Sequence, residues 1–342
     1  MAKSKPILFS FIAFALLTFV ACSRAEPSRS EFVLDTLCII TLFDQATERL
    51  YRDVFNRLHE IEDRMSAHRD GAYVVRINEA AGIEPVQVPG DVFKVIERAL
   101  YFAELSGGAF DPTIRPLLSL WDIRGSNPRV PSQEELDAVL PLVNWRNVEL
   151  DRERSTVFLK QPGMTLDLGS IAKGFAADEA AGIIRRARIR QAIVNLGGDV
   201  VTIGRKRDRN PWWIGLQNPT ISFVGQRTHI GIISVPEISV VASSVTERYF
   251  IEDGVRYHHL ISPFDGRPAR TGILSATIVS FGTSIDADAL STAIFVLGYE
   301  RGRALVDSLE GVEAIFVFEN RIVRTTTGVD FVLVDDSFLL DD

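Results

Sequence analysis

Apolar side chains recur along the chain at two spacings, and these spacings predict its helices and strands. In residues 46–65 the apolar positions Leu50, Val54, Leu58 and Ile61 lie three or four residues apart, which predicts an amphipathic helix. Start and stop residues predict further helices over residues 72–81, 92–106, 131–140, 169–188 and 302–309.

Short apolar runs bounded by glycine, proline and other turn residues predict the strands. These runs cover residues 32–43, 148–159, 165–168, 192–196, 200–203, 212–216, 230–233, 239–242, 258–261 and 276–281, with a closing hairpin over 314–318 and 321–324. Helices dominate the first half and strands the second. The pattern therefore predicts the α+β class.

The first 22 residues have the layout of a secretory signal. Lys3 and Lys5 precede an apolar run over residues 7–20, which is too short for a comfortable membrane span. Cys22 follows the run and resembles the bacterial lipoprotein cysteine that is acylated after cleavage. This predicts a lipid-anchored protein on the periplasmic face of a membrane, with a plain cleaved signal or an uncleaved anchor as alternatives.

After this leader, residues 23–31 are predicted to form a polar tether and residues 32–335 a single domain. The chain has 342 residues, 46% of them hydrophobic, and a formal charge of −8, which argues against a nucleic-acid partner. Apart from Cys22, Cys38 is the only cysteine, so the domain cannot form an internal disulfide. Its apolar surroundings predict a place in the core.

One candidate metal site follows the strand predicted at residues 276–281. A helix begins after Gly282-Thr283, with Asp286 and Asp288 in its first turn. Asp288 and Thr292 are four residues apart and therefore share a helical face. A carboxylate and a hydroxyl could be half of an oxygen-only metal site, although an acid near a helix start is also an ordinary cap.

A candidate phosphate site lies in residues 165–177, TLDLGSIAKGFAA. The pattern predicts that a strand ends at Leu168 and that a helix begins at once, through Gly169-Ser170 and Lys173-Gly174. Exposed amides at such a helix start favour a phosphate or carboxylate, and Lys173 adds positive charge. The segment does not match the P-loop pattern, and a tight packing corner explains it equally well.

Three further turns carry polar side chains. The segment 195–199, NLGGD, is explained as well by a plain hairpin, and 242–246, ASSVT, by a solvated loop. His258 and His259 enter a predicted strand, where neighbouring side chains face opposite ways, so at most one can point into a given site. A histidine is the natural general base near neutral pH.

Seven segments in order resemble the ApbE family of flavin transferases. They are MSAHRDGAYVVRIN, GGAFDPTIRPLLSLW, LDLGSIAKGFAAD, VNLGGD, VVASSVTERYF, HHLISPFDGRPA and DADALSTAIFVLG, which together span residues 32–329. The resemblance implies an α+β fold with mixed and antiparallel sheets. It also implies Mg²⁺-dependent transfer of FMN from FAD to a threonine or serine hydroxyl of a partner protein, with release of AMP.

Partners of such transferases are typically subunits of membrane redox complexes. Two alternatives remain open: an FAD pyrophosphatase that gives FMN and AMP, and a periplasmic lipoprotein that binds FAD without catalysis. The resemblance implies a metal bound by Asp288, Thr292 and a backbone oxygen at Ser170. It implies His259 as the base for the acceptor hydroxyl, and cofactor contacts at Ala109, Phe110, Asp111, Asp167 and Lys173.

Three positions depart from the family pattern. Ser262 stands where members have an aspartate, and His68 where they commonly have a tyrosine. Leu34 begins the triplet Leu-Asp-Thr, which replaces Met-Gly-Thr. We expect cofactor contacts at all three positions to differ in detail, which bears on transfer versus hydrolysis more than on FAD binding.

Overall fold

A computed structural model of the chain describes residues 28–44, 46–206, 210–220 and 228–341. The predicted secretory signal, Cys22 and most of the predicted tether lie outside the described residues. Among the helices of the described part, none is long and apolar enough to span a membrane.

The helices are amphipathic or buried elements that cover one face of a large sheet. In chain order they are α1 Glu48–Met65, α2 Tyr73–Glu79, α3 Gly90–Leu105, α4 Arg115–Trp121, α5 Gln133–Val139, α6 Ala172–Arg186, α7 Ser284–Leu297 and α8 Tyr299–Asp307. In α1 the predicted stripe Leu50, Val54, Leu58 and Ile61 is buried, and Thr47 caps the helix by accepting from the backbone N–H of Leu50.

The strands are short and mostly antiparallel. In chain order they are β1 Ser28–Val33, β2 Thr36–Leu42, β3 Val86–Gln87, β4 Val148–Asp151, β5 Thr156–Leu159, β6 Ala192–Leu196, β7 Asp199–Ile203, β8 Trp212–Gln217, β9 His229–Val235, β10 Ser239–Ser244, β11 Tyr249–Glu252, β12 Val255–His258, β13 Ile273–Ser280, β14 Val312–Phe318, β15 Ile322–Thr325, β16 Phe331–Leu333 and β17 Leu339–Leu340.

A nine-stranded sheet organises the domain, in the order β1-β2-β6-β7-β10-β13-β14-β15-β17. All its neighbours are antiparallel except β15 and β17, so the sheet is mixed. Alternate residues of the central strands face opposite sides: Val241 and Ile278 pack with the helices, whereas Val240 and Val279 pack against the small sheet β16-β9-β8. The predicted α+β class is confirmed.

The structure corrects several predicted boundaries. Residues 32–43 are not one strand: they contain the end of β1, a turn at Leu34 and Asp35 with φ of 57° and 56°, and β2. The preceding residues Ser28–Glu31, which were assigned to the tether, pair with β2. Residues 165–168 are not a strand: the N–H of Leu166 bonds to the Asn78 side chain and that of Asp167 to the Pro112 carbonyl.

Other differences are smaller. Residues 148–159 form the hairpin β4–β5, α6 begins at Ala172 rather than at residue 169, and helix α4 was not predicted. Strand β12 ends at His258, and Ile261 makes an isolated bridge to Pro268. Cys38 is buried in the core with a free thiol, as predicted.

Candidate active site

The site is a cleft of about 690 Å³ at the end of the large sheet where the β1–β2 turn lies. It is walled by the loop after α1, the loop before α4, the turn before α6, one face of α7 and the segment after β12. Eight of the residues proposed from the sequence line it together: His68, Ala109, Phe110, Asp111, Asp167, Ser170, His259 and Thr292.

Asp111 lies at the wall of the cleft, but its carboxylate is occupied by its own loop. One oxygen accepts from the backbone N–H and the hydroxyl of Thr113 at 2.8 and 2.7 Å, and the other from the Trp145 N–H at 3.1 Å. Burial raises the pKa of Asp111, and these bonds oppose the rise. The geometry makes Asp111 the residue that shapes the loop carrying Ala109 and Phe110, and its contact with a cofactor stays a prediction.

Arg115, which sequence reasoning did not single out, joins two predicted residues across the cleft. Its guanidinium lies 3.3 Å from the ring nitrogens of His68 and 3.5 Å from an Asp167 oxygen. Asp167 also accepts from the N–H of Gly169 at 2.8 Å, which shapes the turn before α6. This turn presents Ser170 to the cleft.

Helices α6 and α7 touch at Gly174, and this contact brings two parts of the site together. The N–H of Gly174 donates to Asp288 at 2.9 Å. A Cβ at Gly174 would lie 2.3 Å from the Ser284 carbonyl oxygen and 2.8 Å from the Asp288 Cβ. Only glycine therefore allows this approach. The start of α6 is therefore a tight packing corner against α7, and binding of a phosphate there stays a prediction.

A buried ion cluster lies beneath the cleft. Lys173 Nζ is 2.6 Å from Asp199 and 3.2 Å from Asp288, and both carboxylates are almost fully buried. Burial alone would lower the pKa of Lys173, but the two carboxylates outweigh it and raise the pKa. Burial raises the pKa of Asp199, with Lys173 opposing the rise and Asp288 adding to it. Two carboxylates share one ammonium, so the cluster carries excess negative charge once Asp199, whose pKa is raised to about 7, is ionised.

The three predicted magnesium ligands are Asp288, Thr292 and Ser170, and they lie at the cleft or directly beneath it. Asp288 and Thr292 lie one turn apart on α7, and Thr292 Oγ1 is 3.3 Å from Ser243 Oγ. Ser170 and Thr292 both line the cleft. In the described part of the chain no three His, Cys, Asp or Glu side chains form a metal cage. Hard oxygens beside excess negative charge suit Mg²⁺, which usually keeps water and substrate phosphates as ligands.

Asp286 has a different role from its neighbour Asp288. Its carboxylate pairs with the Arg98 guanidinium at 2.6 and 2.8 Å, outside the cleft. The first N–H groups of α7 are instead capped by Asp178, which accepts from Ser284 and Ile285 at 2.9 Å each. Asp286 therefore does not cap the backbone N–H groups of α7.

His259 lies in the cleft with a defined tautomer. Its Nδ1 is 3.2 Å from the Arg248 carbonyl oxygen, which can only accept, so Nδ1 carries the proton and Nε2 keeps its lone pair. Nε2 is 3.8 Å from a Glu247 oxygen. Burial, helped by the charge of Arg124, lowers the pKa of His259 to about 3, so the ring is neutral at neutral pH.

The neighbouring histidine points elsewhere. His258 is buried, and its ring packs edge-on against Phe295 with centroids 5.6 Å apart. Burial lowers its pKa to about 4. His259 thus faces the cleft and His258 faces the core, although β12 ends at His258 and His259 lies just beyond the strand.

Four predicted residues do not line the cleft. Lys173 and Asp288 lie beneath it in the ion cluster. Leu34 packs against the core and its N–H donates to Glu62 at 2.8 Å, while its neighbour Asp35 lines the cleft instead. Ser262 Oγ accepts from the Phe264 N–H at 3.3 Å and so supports its own turn.

Sequence reasoning gave no role to Asp199 and Glu247. Asp199 stands opposite Leu196 across the two-residue turn Gly197-Gly198, whose φ values are 66° and 107°. The hairpin reading of this segment was correct. Asp199 directly follows such a turn and begins a fully buried strand. A buried carboxylate needs a charged partner, and this was the signal in the sequence for its role.

Comparison with known proteins agrees with this geometry. The family model described as the ApbE family matches residues 34–316. A relative named FAD:protein FMN transferase from Treponema pallidum (strain Nichols) is 39% identical over 335 residues, covering 92% of this chain and 91% of the relative. One of the same name from Klebsiella pneumoniae (strain 342) is 39% identical over 274 residues, covering 80% and 84%.

Solved structures show the same fold. The crystal structure of the ApbE protein from Thermotoga maritima is 34% identical, with a TM-score of 0.80 over 88% of this chain and 96% of that one. The flavin transferase ApbE from Vibrio cholerae is 28% identical, with a TM-score of 0.76 over 91% and 97%. The family match covers most of the chain and the first relative nearly all of it, so this protein belongs to the ApbE family.

Proposed function

We propose that this protein transfers FMN from FAD to a threonine or serine hydroxyl of an acceptor protein. Its relatives are named FAD:protein FMN transferase, and they match it over most of its length. The observation that carries the proposal is His259, a neutral imidazole in the cleft with its Nε2 lone pair free to accept a proton. Transfer to a hydroxyl requires such a base.

The reaction balances with groups that the cleft contains. The acceptor hydroxyl oxygen forms a bond to the phosphorus of the FMN half, and the bond from that phosphorus to the bridging oxygen breaks. AMP leaves with the bridging oxygen. The hydroxyl proton passes to His259 Nε2, and the Glu247 carboxylate at 3.8 Å stabilises the resulting imidazolium.

We also propose Mg²⁺ as the metal, held by Asp288, Thr292 and the backbone oxygen of Ser170. Such an ion neutralises charge that develops on a pyrophosphate. Lys173 and Gly174 hold the Asp288 carboxylate in place through bonds of 3.2 and 2.9 Å. The excess negative charge of the ion cluster supports a cation at this position.

Hydrolysis of FAD is the second candidate function. Glu247 is 40% exposed at the side chain and lies beside His259 Nε2, so water can reach the base. Water would then replace the acceptor hydroxyl, and the products would be FMN and AMP.

Outside the cleft, we propose that Cys22 is acylated and anchors the protein to a membrane, with the domain on the periplasmic side. This rests on the leader sequence, in which a short apolar run follows two lysines. The expected acceptors are subunits of membrane redox complexes, or their FMN-binding domains.

One assay separates the candidates. The protein is incubated with FAD, Mg²⁺ and an FMN-binding domain that carries one acceptor threonine. Flavin fluorescence on the denatured acceptor band is the expected result, and an acceptor with alanine at that position is the control. Free FMN without labelling would instead establish hydrolysis, and intact FAD after prolonged incubation would leave only non-catalytic FAD binding.

A further inference from the structure

A second, smaller cavity adjoins the cleft. It has a volume of about 470 Å³ and is lined by Asp35, Ile123, Arg124, Glu247, Arg248 and Tyr249. Asp35, Ile123 and Arg124 line the large cleft as well, so the two cavities share a wall. None of the residues predicted to bind FAD or metal lines the small cavity.

His259 lines the large cleft, and its ring contacts two residues of the small cavity. Its Nδ1 is held by the Arg248 carbonyl, and its Nε2 points to Glu247, and both of these residues line the small cavity. A hydroxyl that gives its proton to Nε2 must therefore approach beside Glu247. Glu247 lines the small cavity and does not line the cleft that holds Phe110 and Thr292.

Residues in the wall of the small cavity are connected to each other and to His259 by hydrogen bonds. Arg248 donates from Nη2 to the backbone oxygen of Asp35 at 2.9 Å, which joins the β1–β2 turn to the segment between β10 and β11. The backbone N–H of His259 donates to the Arg248 carbonyl at 3.0 Å. The cavity is thus held in place by the segment that positions the base.

Its surface is mixed in charge and has one aromatic wall. Asp35 and Glu247 oppose Arg124 and Arg248, while the Tyr249 ring is 41% exposed. The Arg256 guanidinium lies over that ring, 4.6 Å from its centre, and supports one face of it. Both signs of charge beside an aromatic ring suit a polypeptide segment better than a polyanion.

We propose that this small cavity receives the segment of the acceptor protein that carries the threonine or serine hydroxyl, with Tyr249 as its apolar contact. The inference rests on the proposed transferase function, because hydrolysis needs no second site. The large cleft then holds FAD, and the two substrates meet at His259 Nε2.

The test is Tyr249→Ala in the full domain, measured with the FMN-binding domain as acceptor. At saturating FAD we expect the KM for the acceptor to rise about tenfold, as for loss of an aromatic contact at an interface. The Kd for FAD, measured by fluorescence quenching, should remain unchanged. Tyr249→Phe keeps the ring and should restore the wild-type KM.

Tyr101→Ala is the matched control. Tyr101 is a 44% exposed tyrosine on α3 that lines neither cavity, so its removal should leave every constant unchanged. If the wild type labels the acceptor and Tyr249→Ala has an unchanged KM for it, the inference is overturned and the proposed transferase function is not. A weaker FAD Kd in that variant assigns the small cavity to FAD and also overturns it. If the wild type hydrolyses FAD but never labels the acceptor, the proposed function and this inference both fail.

Discussion

The chemistry of the site depends on which way single side chains point. His259 and His258 are neighbours in sequence, yet one ring faces the cleft and the other packs on Phe295. Asp288 and Asp286 are two residues apart, yet one is buried with Lys173 and the other pairs with Arg98 outside the cleft. In each pair, one residue belongs to the site and its neighbour in sequence does not.

Replacing His259 by alanine should slow acceptor labelling by roughly 10²- to 10⁴-fold, because the proton then has no base. The Kd for FAD should change little. His59→Ala is the control, since His59 is an exposed histidine on α1 whose ring contacts Glu31. A wild-type labelling rate in His259→Ala would assign the proton to another group.

Asp288→Ala should lower the affinity for Mg²⁺ at least about tenfold, measured by titration calorimetry in the absence of FAD. Turnover should be lost as well. Asp286→Ala removes a neighbouring carboxylate that pairs with Arg98 and should bind Mg²⁺ as the wild type does. Equal affinity in all three proteins would exclude Asp288 as a ligand.

At the scale of elements, the site depends on how closely α6 and α7 pack. Gly174→Ala introduces a methyl group 2.3 Å from the Ser284 carbonyl oxygen. We expect the free energy of unfolding to fall by about 1–3 kcal/mol, measured in urea. Gly90→Ala is the control at a helical glycine with open space around it, and its effect should stay within about 0.5 kcal/mol.

The buried end of β12 makes stability depend on pH through His258. The pKa of this ring is about 4 in the folded protein and 6.5 in the unfolded chain. Between these two pH values, therefore, the unfolded state binds one more proton than the folded state. The stability that neutral His258 contributes is therefore complete above pH 6.5 and is lost as pH falls towards 4.

His258→Gln removes this titration. As pH falls from 6.5 to 4, the wild type should lose about 3 kcal/mol of unfolding free energy relative to the variant. Chemical denaturation of both proteins at each pH measures this difference, and the other titrating groups cancel when one is subtracted from the other. A constant difference across that range would contradict the assignment.

At the scale of the whole molecule, the β1–β2 hairpin sets the direction of the cleft. Ser28 pairs with Thr41 at one end of the hairpin, and Leu34-Asp35 turns at the other end, where Asp35 lines the cleft. Six residues of strand separate the ends by roughly 20 Å. Ser28, the first residue that the structure describes, therefore lies at the end of the hairpin away from the cleft.

Cys22→Ser should move the full-length protein out of the membrane fraction, because the proposed lipid anchor is attached through that thiol. Fractionation of cells that express each protein, with detergent partitioning, makes the measurement. A wild type found in the soluble fraction would indicate a plain cleaved signal. A variant that remains in the membrane would indicate an uncleaved anchor.

The sequence by itself determined the class of fold, most helices and strands, and the set of candidate residues. Periodicity sufficed for α1, because burial of Leu50, Val54, Leu58 and Ile61 is a local consequence of helical spacing. It could not divide residues 32–43 correctly, because the turn at Leu34-Asp35 carries no glycine to mark it. The order of the family segments predicted the site residues, and eight of these line one cleft.

Only the tertiary structure decided what these residues do to one another. Lys173, Asp199 and Asp288 are far apart in the chain, and each alone has an ordinary explanation. They become one buried cluster because Gly174 lets α6 and α7 approach. The free lone pair of His259 follows likewise from a bond to Arg248, eleven residues away. Contacts between distant segments set charge, burial and tautomer, and local patterns do not encode these.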